Sequence, residues 1–89
     1  MNLHEEIIDR LQAMAPISLE IEDESAMHAG HKGNNGGGHF KLKMTSSHFS
    51  GKSQIMRHRL IYQILSNLIP NKIHALSIHA IAPDDITTR

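Results

Sequence analysis

The sequence predicts an α+β sandwich, a three-stranded mixed sheet carrying helices on one face. Three observations point to it. The segment from Ser53 to Ile69 repeats its apolar residues every three or four positions, the period of an amphipathic helix. Three other segments, Ser18 to Glu22, Phe40 to Met44 and Ile73 to Ile81, carry strand-type apolar patterns. A shorter helical pattern precedes them all. The order is therefore helix, strand, strand, helix, strand, which layers helices against a sheet.

Taken in order, Leu3, Ile7, Ile8, Leu11 and Met14 line one face of a first helix from Leu3 to Met14. Asn2 and Glu5 have capping-box spacing at its start. Ala15 and Pro16 end it, because proline disfavours a helical residue before it. In the first strand Leu19 and Ile21 face inward and Glu20 and Glu22 outward. From residue 23 to 38 the pattern stops, and four of the eight residues from His31 to Gly38 are glycine, so a flexible loop is expected there. The second strand turns Phe40, Leu42 and Met44 inward. Its outward Lys41 and Lys43 oppose the outward glutamates in an antiparallel pair. Ser46 to Gly51 then turns the chain, with a short helical turn, into the main helix. Ser53 is its N-cap and Pro70 its stop, so the helix is expected to reach Ile69. Its apolar stripe comprises Ile55, Met56, Leu60, Ile61, Ile64, Leu65, Leu68 and Ile69, with Arg57, His58, Gln63, Ser66 and Asn67 outside it. In the third strand Leu76, Ile78 and Ala80 form the apolar face. Alternation places His74 on that same core-facing side, with Ser77 and His79 opposite. Residues 83–89 read as a weakly ordered tail. The whole chain, 1–89, is a single domain without internal repeats.

The 89 residues hold nine basic and nine acidic side chains, so the formal charge is zero and no general electrostatic grip on nucleic acid or anionic lipid is expected. Cysteine is absent, which excludes disulfides, a thiol nucleophile and a thiolate metal site made by this chain alone. With no tryptophan and three other aromatics, the core must come from Leu, Ile, Met and Ala. No apolar run approaches a membrane span and the N-terminus lacks a secretory pattern, so cytoplasm or an organelle matrix is the expected location. What stands out is eight histidines, at 4, 28, 31, 39, 48, 58, 74 and 79.

Most short motifs dissolve on inspection. Gly51, Lys52 and Ser53 resemble the end of a phosphate-binding loop, but the glycine required five positions earlier is Ser46. Gly30 to Gly33 matches the GXXG loop of a KH nucleic-acid module, yet lies between strands rather than helices; the overall element order still resembles KH. No nucleophile elbow accompanies the serines and histidines, so no enzyme is expected. Arg57, His58 and Arg59, with Lys52, could touch phosphates from a helix surface, but no wider basic patch accompanies them. Of the histidines, His28 and His31 lie in the glycine-rich loop and His74 at a strand start. Imidazole is the commonest neutral metal ligand, and this spacing fits a half-site completed by another molecule rather than a closed zinc site.

Asp23 to His28, His39–Phe40, Phe49 to Ser53, Arg57 to Leu60 and Ile73 to Leu76 together resemble the BolA family across nearly the whole chain. The resemblance implies a class II KH-like fold of order αββ(α)αβ. It also implies a heterodimer with a monothiol glutaredoxin around a shared [2Fe–2S] cluster, the glutaredoxin bringing its active-site cysteine and a bound glutathione. Carried onto this chain, His74 matches the strand ligand and His28 the loop ligand, with His31 a nearby spare. Alone, the chain is expected to be a monomer without a cluster. Some family members are described as DNA-binding transcriptional regulators, and in that alternative Lys52, Arg57, His58 and Arg59 form the contact.

Overall fold

The computed structural model describes residues 2–24 and 38–85. Helix α1 spans Leu3–Leu11 and is followed by a 3₁₀ turn, Gln12–Met14. Strand β1 is Ser18–Asp23, β2 is Gly38–Thr45, α2 is Gln54–Ile64 and β3 is Ile73–Ile81, with a second 3₁₀ turn at Ser47–Phe49 before α2. The sheet order is β1-β2-β3, antiparallel between the first two strands and parallel between the last two.

The local reasons for these elements are largely those read from the chain. Both halves of the capping box form: the Glu5 N–H donates to Asn2 Oδ1 at 2.8 Å and the Asn2 N–H to Glu5 Oε1 at 3.1 Å. The Ser53 hydroxyl accepts from the Met56 N–H at 3.2 Å and caps α2. Glu20 stands opposite Lys43 and Glu22 opposite Lys41, as the alternation implied. Phe40, Leu42 and Met44 are buried, and they share one core with Ile7 and Leu11 of α1 and Ile61 of α2.

Ser46, which the sequence marks only as part of a turn, is fully buried at the corner between sheet and helices. Its hydroxyl donates to the Met14 carbonyl at 2.6 Å and accepts from the His48 N–H at 3.1 Å, while its own N–H donates to the Ile81 carbonyl at 3.0 Å. Through its side chain and its backbone N–H, this one residue ties the 3₁₀ turn after α1, the second 3₁₀ turn and the end of β3 together.

Two expectations about α2 are corrected. The helix stops at Ile64, five residues short of Ile69. Beyond it the chain tightens into turns: the Leu68 N–H donates to Leu65 O at 2.9 Å, and the Lys72 and Ile73 N–H groups both donate to Leu68 O at 2.9 and 2.8 Å. These turns keep Leu65 and Leu68 in the core while reversing the chain into β3. Ser66 and Asn67 favour such turns because their side chains compete for backbone partners. The stripe is also displaced. Ile55 and Met56 are exposed, and the buried line is Arg57, Ile61, Leu65 and Leu68.

Candidate functional site

The third strand departs from regular alternation at one place. Gly38 pairs with Ile73, but the next residue, His39, pairs with Ala75, so His74 is an extra residue in the ladder. A β-bulge of this kind kinks the strand and re-aims a side chain. Here it lets Ile73 be fully buried, although Ile73 lies an odd number of positions from Leu76, and it turns His74 into solvent. The expectation that His74 lies on the core-facing side is therefore overturned. The ring is displayed rather than packed.

His74 does not stand alone. The His39 ring lies with its centroid 5.2 Å from that of His74, tilted by 47°. His39 alternates with buried Phe40 and so belongs to the face away from the helices. Its backbone is closely held: a Cβ on the preceding Gly38 would sit 2.3 Å from the Phe40 ring, so only glycine fits there without a shift. Sequence reasoning passed over His39. The alternation with Phe40 would have placed it outward, but only the register of β2 against β3 shows which residue it meets.

The ends of the glycine-rich segment converge on this place. The Glu24 N–H donates to the His39 carbonyl at 2.7 Å, and the Gly38 N–H donates to the Lys72 carbonyl at 2.8 Å. Glu24, His39, Phe40, Ala75, Leu76 and Ser77 line a cleft of about 240 Å³ beside the bulge. His28 and His31 lie outside the described residues.

The basic cluster on α2 does not form a single surface. Arg57, read from the sequence as lying outside the stripe, is only 6% exposed. Its Nε donates to Lys52 O at 2.9 Å, and Nη1 donates to Ala80 O at 3.1 Å. The Asp85 carboxylate takes both Nη1 and Nη2, at 2.7 and 2.9 Å. The guanidinium, with a third hydrogen bond from the Ala82 N–H at 2.9 Å, holds the Asp85 carboxyl down at about 2. The same contact raises the Arg57 pKa. Ser50 Oγ donates to Asp84 at 2.8 Å, so the residues after β3, expected to be weakly ordered, are tied to the start of α2 through residue 85. Lys52 and Arg59 are exposed and His58 is half-buried. Arg57 is a clamp, and its guanidinium is spent inside the fold.

Comparison with known proteins gives a consistent picture. The family model for BolA-like proteins matches residues 11–85. The chain is 44% identical over 77 residues to the SufE-like protein 1, chloroplastic/mitochondrial, of Arabidopsis thaliana, covering 80% of this chain and 21% of that protein. It is 36% identical over 80 residues to the DNA-binding transcriptional regulator BolA of Escherichia coli, covering 89% of this chain and 74% of that one. Among solved structures, the BolA domain of SufE1 from Arabidopsis thaliana superposes with a TM-score of 0.81 at 40% identity, covering 97% of this chain and 99% of that one. The chain spans between 21% and 59% of the length of the first curated relatives it matches.

Proposed function

Because this chain belongs to the BolA-like family, we propose that it is the histidine-donating half of a [2Fe–2S] site shared with a monothiol glutaredoxin. The observation that carries the proposal is the bulge at His74, which holds an imidazole out of the core on a rigid strand. The donor chemistry fits. Two imidazoles on one iron and thiolates on the other is a stable [2Fe–2S] ligation, and a chain without cysteine can supply only the nitrogen half. In this reading His74 is the strand ligand and His28 the loop ligand, with His31 in reserve. The glutaredoxin contributes its cysteine and glutathione. The cluster is cargo, to be handed on or sensed. The protein acts in the cytoplasm or an organelle matrix and is a monomer until it meets its partner. Among the described residues no helix is long and apolar enough to cross a membrane.

Mixing the purified chain with cluster-loaded glutaredoxin and glutathione should give one cluster per heterodimer, seen as a new visible circular dichroism spectrum. The isolated chain, reconstituted with iron and sulfide, should give none. A stable [2Fe–2S] spectrum from the chain alone would falsify the half-site.

The name of the Escherichia coli relative favours a second reading, DNA binding. With Arg57 buried, the contact reduces to Lys52, Arg59 and His58. Binding through so few cations should be weak and only shallowly dependent on salt, because the salt slope grows with the number of phosphates neutralised. A gel shift that survives Lys52→Ala/Arg59→Ala unchanged removes this surface from consideration.

A further inference from the structure

We propose that the outer edge of β1 is a docking strand for an extended peptide in which Lys or Arg alternates with apolar residues. The inference uses no histidine and needs neither a glutaredoxin nor a cluster.

The backbone of β1 offers hydrogen bonds on that edge. The strand lies at one end of the sheet, so only one of its sides is paired. In an antiparallel ladder, residues alternate between exchanging hydrogen bonds with the residue opposite and pointing their N–H and C=O groups away from it. The Glu24 N–H donates to the His39 carbonyl at 2.7 Å, and this pair continues the register of Asp23 with Phe40, which sets the phase. Glu22 and Glu20 therefore bond to β2, while Leu19 and Ile21 present their backbone groups at the outer edge. The register of β1 against β2 is regular from Ser18 to Asp23, whereas the other edge strand, β3, begins with the bulge at His74. An incoming peptide extends a sheet through such a regular edge.

A groove runs beside the same edge. His4, Ile8 and Gln12 of α1 and Ile17, Leu19 and Ile21 line a cleft of about 560 Å³. Ile17 is 65% exposed, and Leu19 and Ile21 are half-buried against the core. A strand laid along β1 sets every second side chain over this groove, in line with Leu19 and Ile21. Those positions call for apolar residues.

Charge selects the residues between them, which stand beside Glu20 and Glu22 on the sheet's open face. Both glutamates are exposed. Among the described residues neither forms an ion pair, although Lys43 and Lys41 stand opposite them in β2. A cation on the incoming strand places each carboxylate between two positive charges. The same glutamates disfavour a second copy as the occupant. An antiparallel pairing of β1 with its own copy brings the glutamates of both strands onto one face, and like charges across a strand pair are destabilising.

Titration of the full chain with the end-capped peptide Lys-Val-Lys-Val-Lys-Val, followed by amide NMR, tests this. Saturable shifts are expected, largest at the Leu19 and Ile21 N–H groups that gain acceptors. The reordered peptide Lys-Lys-Lys-Val-Val-Val keeps the charge but loses the alternation, and should bind about tenfold more weakly or worse. Glu20→Gln/Glu22→Gln should weaken binding of the alternating peptide about threefold or more. If that variant folds poorly, the wild type titrated at rising salt replaces it, and the affinity must fall. Shifts confined to other surfaces, equal binding of the two peptides, or an affinity indifferent to both the glutamates and salt overturns the proposal. So does movement of the Leu19 and Ile21 amides with protein concentration alone, which assigns the edge to a second copy. No glutaredoxin is present, so neither outcome bears on the shared-cluster reading.

Discussion

Arg57→Ala lowers the melting temperature of the isolated protein by at least ~5 °C, and Arg57→Lys recovers only part of the loss. The guanidinium makes four hydrogen bonds that no smaller cation can reproduce, to Lys52 O, Ala80 O and both oxygens of Asp85. Removing it leaves the Ala80 carbonyl without this donor and strips the Asp85 carboxylate of its cation. It also unfastens α2 from the end of β3. The partner residue adds a pH signature. The folded-state pKa of Asp85 is depressed to about 2, below an ordinary carboxylate near 4. Its contribution is therefore complete above about pH 4 and lost as the pH falls toward 2. Asp85→Asn should melt lower than the wild type at neutral pH, and the difference should narrow on acidification over that window. Thermal melts between pH 2 and 7 decide the matter. A constant gap would mean that Asp85 contributes by packing or by neutral hydrogen bonds alone.

His74→Ala abolishes the shared cluster while leaving the apo fold intact. The ring is exposed on a bulge and supports no part of the core, so the melting curve should match the wild type. His28→Ala should be milder. His31 lies three residues further along the sequence and offers a second imidazole in place of the one removed. The expected outcome is total loss of visible circular dichroism for His74→Ala beside glutaredoxin and an altered, weaker spectrum for His28→Ala. Wild-type spectra from both variants would sink the ligand assignment. A larger loss for His28→Ala would reverse only the ranking.

The extent to which this was readable in advance differs by residue. His74 was identifiable as a ligand candidate from its family-like segment, Ile73 to Leu76, but its direction was read wrongly. His39 lies in a family-like segment, but nothing in the sequence ties it to His74. Arg57 falls between the apolar positions of its helix, so periodicity alone places it in solvent. Ile55 and Met56, assigned to the core by the same periodicity, are exposed.

What the sequence by itself determined was everything that depends on neighbours a few positions away. The Asn2–Glu5 box, the Ser53 cap and the inward set Phe40, Leu42 and Met44 follow from local geometry with a period of 3.6 or 2. So did the order of the elements, and with it the fold class. What only the tertiary structure decided was whatever depends on one inserted residue or on a distant partner. Strand parity holds only while the ladder is regular, and a single bulge at His74 inverts it, burying Ile73 and displaying the imidazole. A guanidinium is excluded from a core only until it meets a carboxylate and carbonyls to receive it. For Arg57 the carboxylate lies 28 positions along the chain, beyond the reach of any periodicity.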